Sequence, residues 1–243
     1  MPAWCRLMLT GAGLLGLWQL LVWGSGVPAF ILPPPGQVLL TWWQQAPLLA
    51  SHAVVTASEI VLGLLLGVAV GISSALLLVR FAPVRRWLLP LLVISQALPV
   101  FALAPVLMLW LGYGMGSKVA MAVLIIYFPV TASCYDGLRQ VSPGWLELAR
   151  TMNARPLAIL RFIQFPAALP ALASGVRIAA ATAPIGAVVG EWVGSSRGLG
   201  YLMLHANARM QIDLMFAALF TLALFALVLY GVVDRLMRRL VYW

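Results

Sequence analysis

The sequence predicts an all-α membrane protein with six transmembrane helices, and three features of the chain support this prediction. Of its 243 residues, 63% are hydrophobic and only 9% are charged, a balance far from that of soluble domains. Several apolar stretches exceed about 18 residues, which is long enough to cross roughly 30 Å of hydrocarbon. Because lipid offers no partners to unpaired backbone groups, we expect every crossing to be helical.

The six expected spans alternate with segments rich in Pro, Gly or Arg. They cover approximately residues 7–24, 53–79, 87–111, 117–137, 172–193 and 214–236. An even number of spans places both termini on one side of the membrane. Of the 15 Lys and Arg residues, only Lys118, Arg197 and Arg209 fall on the opposite side. Positive residues favour the cytoplasm, so this bias predicts the N-in, C-in orientation.

The first span has a second interpretation, as the apolar core of a secretory signal peptide. Residues 27–29 (Val-Pro-Ala) would then lie near the cleavage site. The apolar run is longer than such a core usually is, and Pro28 fits poorly beside a cleavage point. We therefore expect residues 1–51 to form a first helix with an external Pro- and Trp-rich segment, and residues 52–243 to form the main transmembrane domain.

Two external segments follow from this topology. Residues 25–50 contain the run Pro-Pro-Pro-Gly at 33–36, which predicts a rigid turn, and then a short Trp-rich stretch that we expect on the membrane surface. Residues 194–213 contain the Gly- and Ser-rich run 194–200, which we expect to be a flexible external loop.

The second span carries small residues on one face. Glu59, Gly63, Gly67 and Gly71 recur every four residues, a spacing that lets helix backbones approach closely. This face is expected to pack against another helix, with Glu59 requiring a partner or water because a carboxylate inside the membrane is costly. Glu191, near the outer end of the fifth span, is either a pathway or gate residue or simply reaches the interface beside Trp192.

Polar residues within the spans are candidates for lining a transport pathway. The third span is interrupted by Pro90, Pro99 and Pro105, so we expect it to face protein or a cavity that can satisfy its freed carbonyls. The candidate pathway residues are Ser95, Gln96, Tyr127, Thr182, Glu191 and Glu59. The alternative is that these side chains only form hydrogen bonds between helices.

Other classes of function are disfavoured by what the sequence lacks. Cys5 and Cys134 belong to no CxxC pair, and His52 and His205 are isolated, so neither a disulfide nor a metal site is expected. The basic residues lie between apolar runs rather than along one face, which argues against nucleic acid as a partner. The chain has no phosphate-binding G-x-x-x-x-G-K-[ST] run, so it is not an ATPase, and no cofactor is expected.

Two further classes can be compared with a transport subunit. An intramembrane enzyme would need a nucleophile–base pair or a metal cluster, and no such constellation is present in the sequence. A secondary transporter would carry ionisable groups at mid-depth, often within inverted repeats. Glu59 alone does not indicate a secondary transporter, and the two halves of the sequence show no repeat.

The longest cytoplasmic segment, residues 138–171, has a helical pattern. Ser142-Pro143 is a typical helix start, with a hydroxyl N-cap and proline in the first turn. One apolar stripe follows, formed by Trp145, Leu148, Ala149 and Met152. Asn153 can end the helix because asparagine tolerates the left-handed conformation. Pro156 is expected to start a second short helix that Pro166 closes.

This loop resembles the EAA loop in the permeases of binding-protein-dependent ABC importers. The family pattern is E-A-A, three residues, G, nine residues, then I-x-L-P, and the chain matches its spacing from Glu147 to Pro166 without a gap. It departs at Leu148 for Ala, Asn153 for Gly and Phe165 for Leu. The first and last are apolar replacements, and asparagine suits a left-handed turn, so the physical scheme is kept.

The resemblance extends over roughly residues 52–243. The run Gly-Ser-Ser-Arg-Gly-Leu-Gly at 194–200 resembles the external loop of the nitrate, sulfonate and taurine permease subfamily. Within that subfamily, Ser-Gln-Ala-Leu-Pro-Val-Phe at 95–101 and Phe-Pro-Val-Thr at 128–131 are most similar to permeases for hydroxymethylpyrimidine, a thiamine precursor. Sulfonate, taurine and nitrate remain the alternative solutes.

The resemblance implies a type I ABC importer permease fold in the bacterial inner membrane. Two permease copies, expected to be identical, would form the pore within the lipid bilayer. A cytoplasmic ABC ATPase dimer would dock below them, and a periplasmic or lipid-anchored solute-binding protein would deliver the solute. The implied ATPase-coupling residues are Glu147, Leu148, Ala149, Met152, Asn153 and Pro166.

Overall fold

The computed structural model describes residues 3–241, and every regular element in that range is a helix. The helices are α1 (Ala3–Ser25), α2 (Pro35–Gln44), α3 (Ala46–Arg80), α4 (Ala82–Ala97), α5 (Val100–Leu111), α6 (Met115–Arg139), α7 (Pro143–Thr151), α8 (Pro156–Ile159), α9 (Phe165–Gly194), α10 (Leu199–Ala208) and α11 (Ile212–Leu240). The predicted all-α class is therefore confirmed for the described residues.

Four helical segments are long and apolar enough to cross a membrane: Ala46–Arg80, Met115–Arg139, Pro156–Gly194 and Ile212–Leu240. Helices α4 and α5 together make a fifth crossing if the bent pair is counted as one span. The first helix contributes only a shorter apolar stretch, Leu9–Ser25. The described residues thus contain four to five candidate spans, and the count of six stays a prediction.

The third predicted span, 87–111, is not one continuous helix. Helices α4 and α5 meet at 106°, with Leu98 and Pro99 in extended conformations at the break. The ring of Pro99 disfavours a helical conformation at Leu98, and Pro99 has no N–H to donate. Pro90 and Pro105 lie inside α4 and α5 without breaking them.

Helix α6 lies at the centre of the bundle, parallel to α3 and antiparallel to α9. Along the α3 interface, the glycines at 63, 67 and 71 face Ala122, Ile126 and Val130 in turn. A Cβ added at Gly67 would lie 2.7 Å from Ile126 Cγ2, closer than two carbon atoms can approach. The predicted packing face of the second span is therefore confirmed.

The prediction that Pro166 closes a short helix is wrong. Helix α8 passes through a π-helical turn, Leu160–Gln164, directly into α9, so that Pro156–Gly194 is one helical segment of 39 residues. Pro166 lies in the first turn of α9. The wider π-helical turn just before it changes the hydrogen-bond register, so the missing proline N–H does not interrupt the segment.

Both segments that the sequence predicts to be external are more ordered than expected. The predicted flexible loop 194–213 contains α10. The Trp-rich stretch forms α2, which is tied to α11 by two hydrogen bonds: Trp42 Nε1 donates to Thr221 Oγ1 at 3.0 Å, and Thr41 Oγ1 donates to Asp213 Oδ2 at 2.8 Å. Helix α2 is thus held to the bundle by side-chain contacts.

Candidate functional site

Helix α7 presents an apolar surface away from the rest of the chain. Trp145 is 65% exposed, Leu148 63% and Met152 75%, whereas Ala149 is buried. The predicted stripe is therefore divided, because Ala149 holds the helix against the bundle and the three larger side chains point outward. A contiguous exposed apolar patch of this kind marks an interaction surface.

The ends of α7 differ in how well the sequence predicted them. Pro143 occupies the first turn as expected, but the Ser142 side chain makes no capping hydrogen bond. Asn153 has φ of +57°, and its N–H donates to Arg150 O at 2.9 Å while Ala154 N–H donates to Ala149 O at 3.0 Å. This pair of bonds is a Schellman motif, so the predicted left-handed turn at Asn153 is confirmed.

A groove runs beside α7. Trp145 forms one wall, and the π-helical turn and the start of α9 form the other through Phe162, Ile163, Pro166 and Ala167, enclosing about 520 Å³. Glu147 is exposed and makes no hydrogen bond or ion pair with any part of the chain that the structure describes. The surface therefore offers a partner protein an apolar groove and an unpaired carboxylate.

The structure brings only some of the candidate pathway residues together. The hydroxyls of Ser95 and Tyr127 are hydrogen-bonded to each other and link α4 to α6. Gln96 is exposed. Thr182 donates to carbonyls of its own helix, to Ile178 O at 3.1 Å and Ala179 O at 3.2 Å, so its hydroxyl serves α9 itself.

Glu191 is deeply buried, at 1% exposure, and its carboxylate accepts three hydrogen bonds. Thr56 Oγ1 donates to Oε1 at 2.6 Å, and the N–H groups of Gly200 and Tyr201 donate to Oε2 at 2.5 and 3.2 Å. Glu191 thus binds the first turn of α10, where the helix dipole favours negative charge. The interpretation in which Glu191 reaches the interface beside Trp192 is wrong.

Glu59 lies in the same buried region at 1% exposure. Lys118 Nζ is 3.8 Å from its Oε1, while its Oε2 has no hydrogen-bond partner. The expected partner of Glu59 is therefore Lys118, near the start of α6. The loop Gly198–Gly200 closes over a cluster formed by Thr56, Glu59, Lys118 and Glu191, which we call the outer cluster after the side on which the sequence predicts it.

Gly198 is required where that loop passes Glu191. Its φ is +114°, and a Cβ there would overlap the Glu191 carboxylate. Gly198 N–H donates to His52 Nδ1 at 3.0 Å, and Leu199 N–H donates to Thr56 Oγ1 at 2.7 Å. Sequence reasoning missed His52 and Thr56, although they lie seven and three residues before Glu59, on one side of α3.

An ion pair at the other end of the bundle was also missed. Asp234 Oδ1 is 2.7 Å from Arg177 Nε, and its Oδ2 is 2.8 Å from Arg238 Nε, so α11 is tied to α9. The spacing of Asp234 and Arg238 could have indicated the second contact. Within residues 3–241, no three His, Cys, Asp or Glu side chains are close enough to hold a metal ion.

Comparisons with known proteins agree with the helical architecture. Residues 63–242 match the family described as binding-protein-dependent transport system inner membrane component. A structure of the MetNI methionine ABC transporter in an inward-facing conformation superposes with a TM-score of 0.70, covering 81% of this chain and 98% of that one at 20% identity. At that identity the likeness concerns the fold.

Several related proteins can be aligned with almost the whole chain. A probable ABC transporter permease protein of Haemophilus influenzae is 57% identical over 97% of this chain and 96% of its own length. The riboflavin transport system permease protein RibX of Chloroflexus aurantiacus is 39% identical over 95% and 87%. The formylaminopyrimidine transport permease protein ThiX of Halalkalibacterium halodurans is 36% identical over 95% and 92%. The chain therefore belongs to the family of binding-protein-dependent transport system inner membrane components, and it is an inner-membrane ABC importer permease.

Proposed function

We propose that this chain is the transmembrane subunit of an ATP-driven importer for hydroxymethylpyrimidine or a related thiamine precursor. The surface of α7 is the observation that carries the transport role. Its larger apolar side chains are exposed and Glu147 makes no hydrogen bond or ion pair among the described residues, as expected of a helix that inserts into a groove of another protein. ATP hydrolysis would take place on a separate ATPase subunit.

In this proposal residues 143–153 form the coupling helix. Leu148 and Met152 enter the ATPase groove, Glu147 is the polar anchor, and Ala149 and Asn153 fix the helix in place. Pro166 supports the groove from the first turn of α9. Closure of the ATPase dimer on ATP would move two such helices together and favour one of two transmembrane arrangements over the other, which is alternating access.

The proposed topology has six crossings with both termini in the cytoplasm. Helix α1 and the bent pair α4–α5 each count as one crossing beside the four long segments. The excess of arginine at the α7 end supports this orientation. Helix α10 and the outer cluster then face the solute-binding protein, and a second, identical permease copy completes the pore.

The proposed solute rests on the motifs at 95–101 and 128–131 and on the similarity to ThiX, whose name assigns it a pyrimidine. The similarity to RibX makes riboflavin the second candidate, which shares the chemistry of an aromatic nitrogen heterocycle. Sulfonate, taurine and nitrate are the remaining alternatives of the same architecture. A secondary transporter is the competing class, and it would remain active without α7.

Uptake of labelled hydroxymethylpyrimidine at low concentration, in cells with and without this gene, tests the substrate. Loss on deletion and recovery with the intact gene are expected, and unchanged uptake would refute the pyrimidine assignment. Glu147→Arg tests the coupling role, with Gln140→Arg as an exposed control outside α7. Glu147→Arg should abolish ATPase docking and uptake while membrane insertion is unchanged, and normal uptake would refute the coupling assignment.

A further inference from the structure

A cavity of about 290 Å³ lies between α3, α4 and α6 at the end of the bundle that carries α7. Its volume is close to the roughly 300 Å³ at which pockets for small ligands begin. One wall is entirely aliphatic, formed by Leu78 of α3 and by Leu89, Leu92 and Val93 of α4. This wall alone would accept any apolar group.

The opposite wall is a single face of α6, and its residues change from apolar and aromatic to charged along the helix. Phe128, Thr131, Ala132 and Tyr135 follow at helical spacing, and Asp136 comes next at the exposed end. The cavity is thus aromatic and apolar inside and charged at its mouth. A ligand that matches it has a flat apolar ring at one end and hydrogen-bond donors at the other.

The polar groups at the mouth are not equally available. Arg139, at the same end, lies over the Tyr135 ring, 5.3 Å from its centroid, and its Nη1 is 3.4 Å from the Tyr135 hydroxyl. The Asp136 carboxylate makes no hydrogen bond or ion pair with another described residue. Asp136 is therefore a free acceptor at the mouth, which suits an amino group, and it lies beside the positive charge of Arg139.

The link between Ser95 and Tyr127 lies next to the cavity, on the side away from α7. Ser95 follows the lining residue Leu92 by one turn of α4, and Tyr127 precedes the lining residue Thr131 by one turn of α6. The Thr131 hydroxyl is bonded within α6, where Oγ1 donates to Tyr127 O at 2.7 Å.

We propose that this cavity is a solute-binding site for a small aromatic heterocycle that bears an amino group, and that Asp136 accepts a hydrogen bond from that group. The inference rests on the proposed function and narrows its substrate class. Phe128 and Tyr135 supply ring surfaces for stacking, and the aliphatic wall covers the other side of the ring. A sulfonate or nitrate has no ring that could stack between these walls.

Binding of radiolabelled hydroxymethylpyrimidine, whose ring carries an amino group, can be measured by equilibrium dialysis. The sample is the purified permease–ATPase complex in detergent, without binding protein. Ala132→Leu fills the cavity and should weaken binding about tenfold or more. Ala120→Leu is the matched control on the same helix away from the cavity, and it should bind as the wild type does. Asp136→Asn should weaken binding about tenfold, because a hydrogen bond to a charged acceptor is lost.

Saturable binding that Ala132→Leu abolishes and Ala120→Leu retains would support the site. Equal binding by the wild type and Ala132→Leu, or displacement of the label by phospholipid but not by unlabelled pyrimidine, would overturn it. Gene-dependent uptake by cells is measured separately. If uptake depends on the gene while Ala132→Leu binds and transports normally, the cavity proposal fails and the proposed function stands; absence of uptake by the wild type refutes the proposed substrate itself.

Discussion

Removing the Glu191 carboxylate should destabilise the outer end of the bundle far more than removing an exposed carboxylate. Glu191→Ala deletes the acceptor of three hydrogen bonds, from Thr56 Oγ1, Gly200 N–H and Tyr201 N–H. The two amides belong to the first turn of α10 and have no other acceptor in the described structure. The substitution therefore leaves buried donors unpaired.

The magnitude follows from two opposing terms. Each buried donor left unpaired costs about 1–3 kcal/mol, so the two amides together lose about 2–6 kcal/mol. Relief of the buried charge offsets part of this loss, and Thr56 Oγ1 keeps its contact with His52 O at 3.3 Å. We expect a net loss of about 2–4 kcal/mol in the free energy of unfolding.

The assay is unfolding of the purified permease by SDS in mixed micelles, followed by circular dichroism. Glu191→Gln keeps one acceptor oxygen and should lose about half as much as Glu191→Ala. Glu147→Ala is the matched control, because that carboxylate is exposed and without a partner in the described chain, and it should leave stability unchanged. If Glu191→Ala unfolds within about 0.5 kcal/mol of Glu147→Ala, the uncertainty typical of exposed sites, Glu191 does not hold α10.

Two further substitutions test the packing of α3 and the end of α7. Gly67→Ala places a Cβ 2.7 Å from Ile126 Cγ2 and should cost about 1–3 kcal/mol in the same assay, whereas Gly16→Ala, with nothing within 4 Å, should not; equal effects would contradict the close approach. Asn153→Ala should weaken binding of the purified ATPase about fivefold, which corresponds to about 1 kcal/mol of strain at a φ of +57°, and Asn153→Gly should preserve it. Weakening by both variants alike would show that the asparagine side chain, rather than the backbone turn, is required.

Features that depend on local periodicity could be predicted from the sequence. The glycine face of α3 repeats every four residues and the apolar stripe of α7 has helical spacing, so each can be recognised from the sequence of a single helix. The left-handed turn at Asn153 also follows from a single residue and its neighbours. In each case the residues that form the feature are only a few positions apart in the sequence, and the helical periodicity or backbone preference that produces it acts over the same few positions.

Features that depend on distant contacts could not be predicted. Glu191 is bound by Thr56 from another helix and by amides that become neighbours only once the loop at 198–200 has folded back. Pro166 was expected to end a helix, but the π-helical turn before it lets the segment continue. The bend at Leu98–Pro99 could be suspected from proline, yet Pro90 and Pro105 did not break their helices, so residue type alone did not locate it.

The two ends of the bundle differ in structure, and one helical segment joins them. The outer end contains the buried hydrogen bonds to Glu191, while the end that carries α7 holds a cavity and a groove at Pro166. Both Pro166 and Glu191 belong to the segment Pro156–Gly194. A Cβ at Gly175 would lie 2.8 Å from Pro129 O and one at Gly186 would lie 2.6 Å from Ala122 Cα, so α9 and α6 are closely packed along this segment. Under the proposed alternating-access cycle, this close packing would make α6 and α9 move together, so that a shift at the α7 groove would be transmitted to the outer cluster.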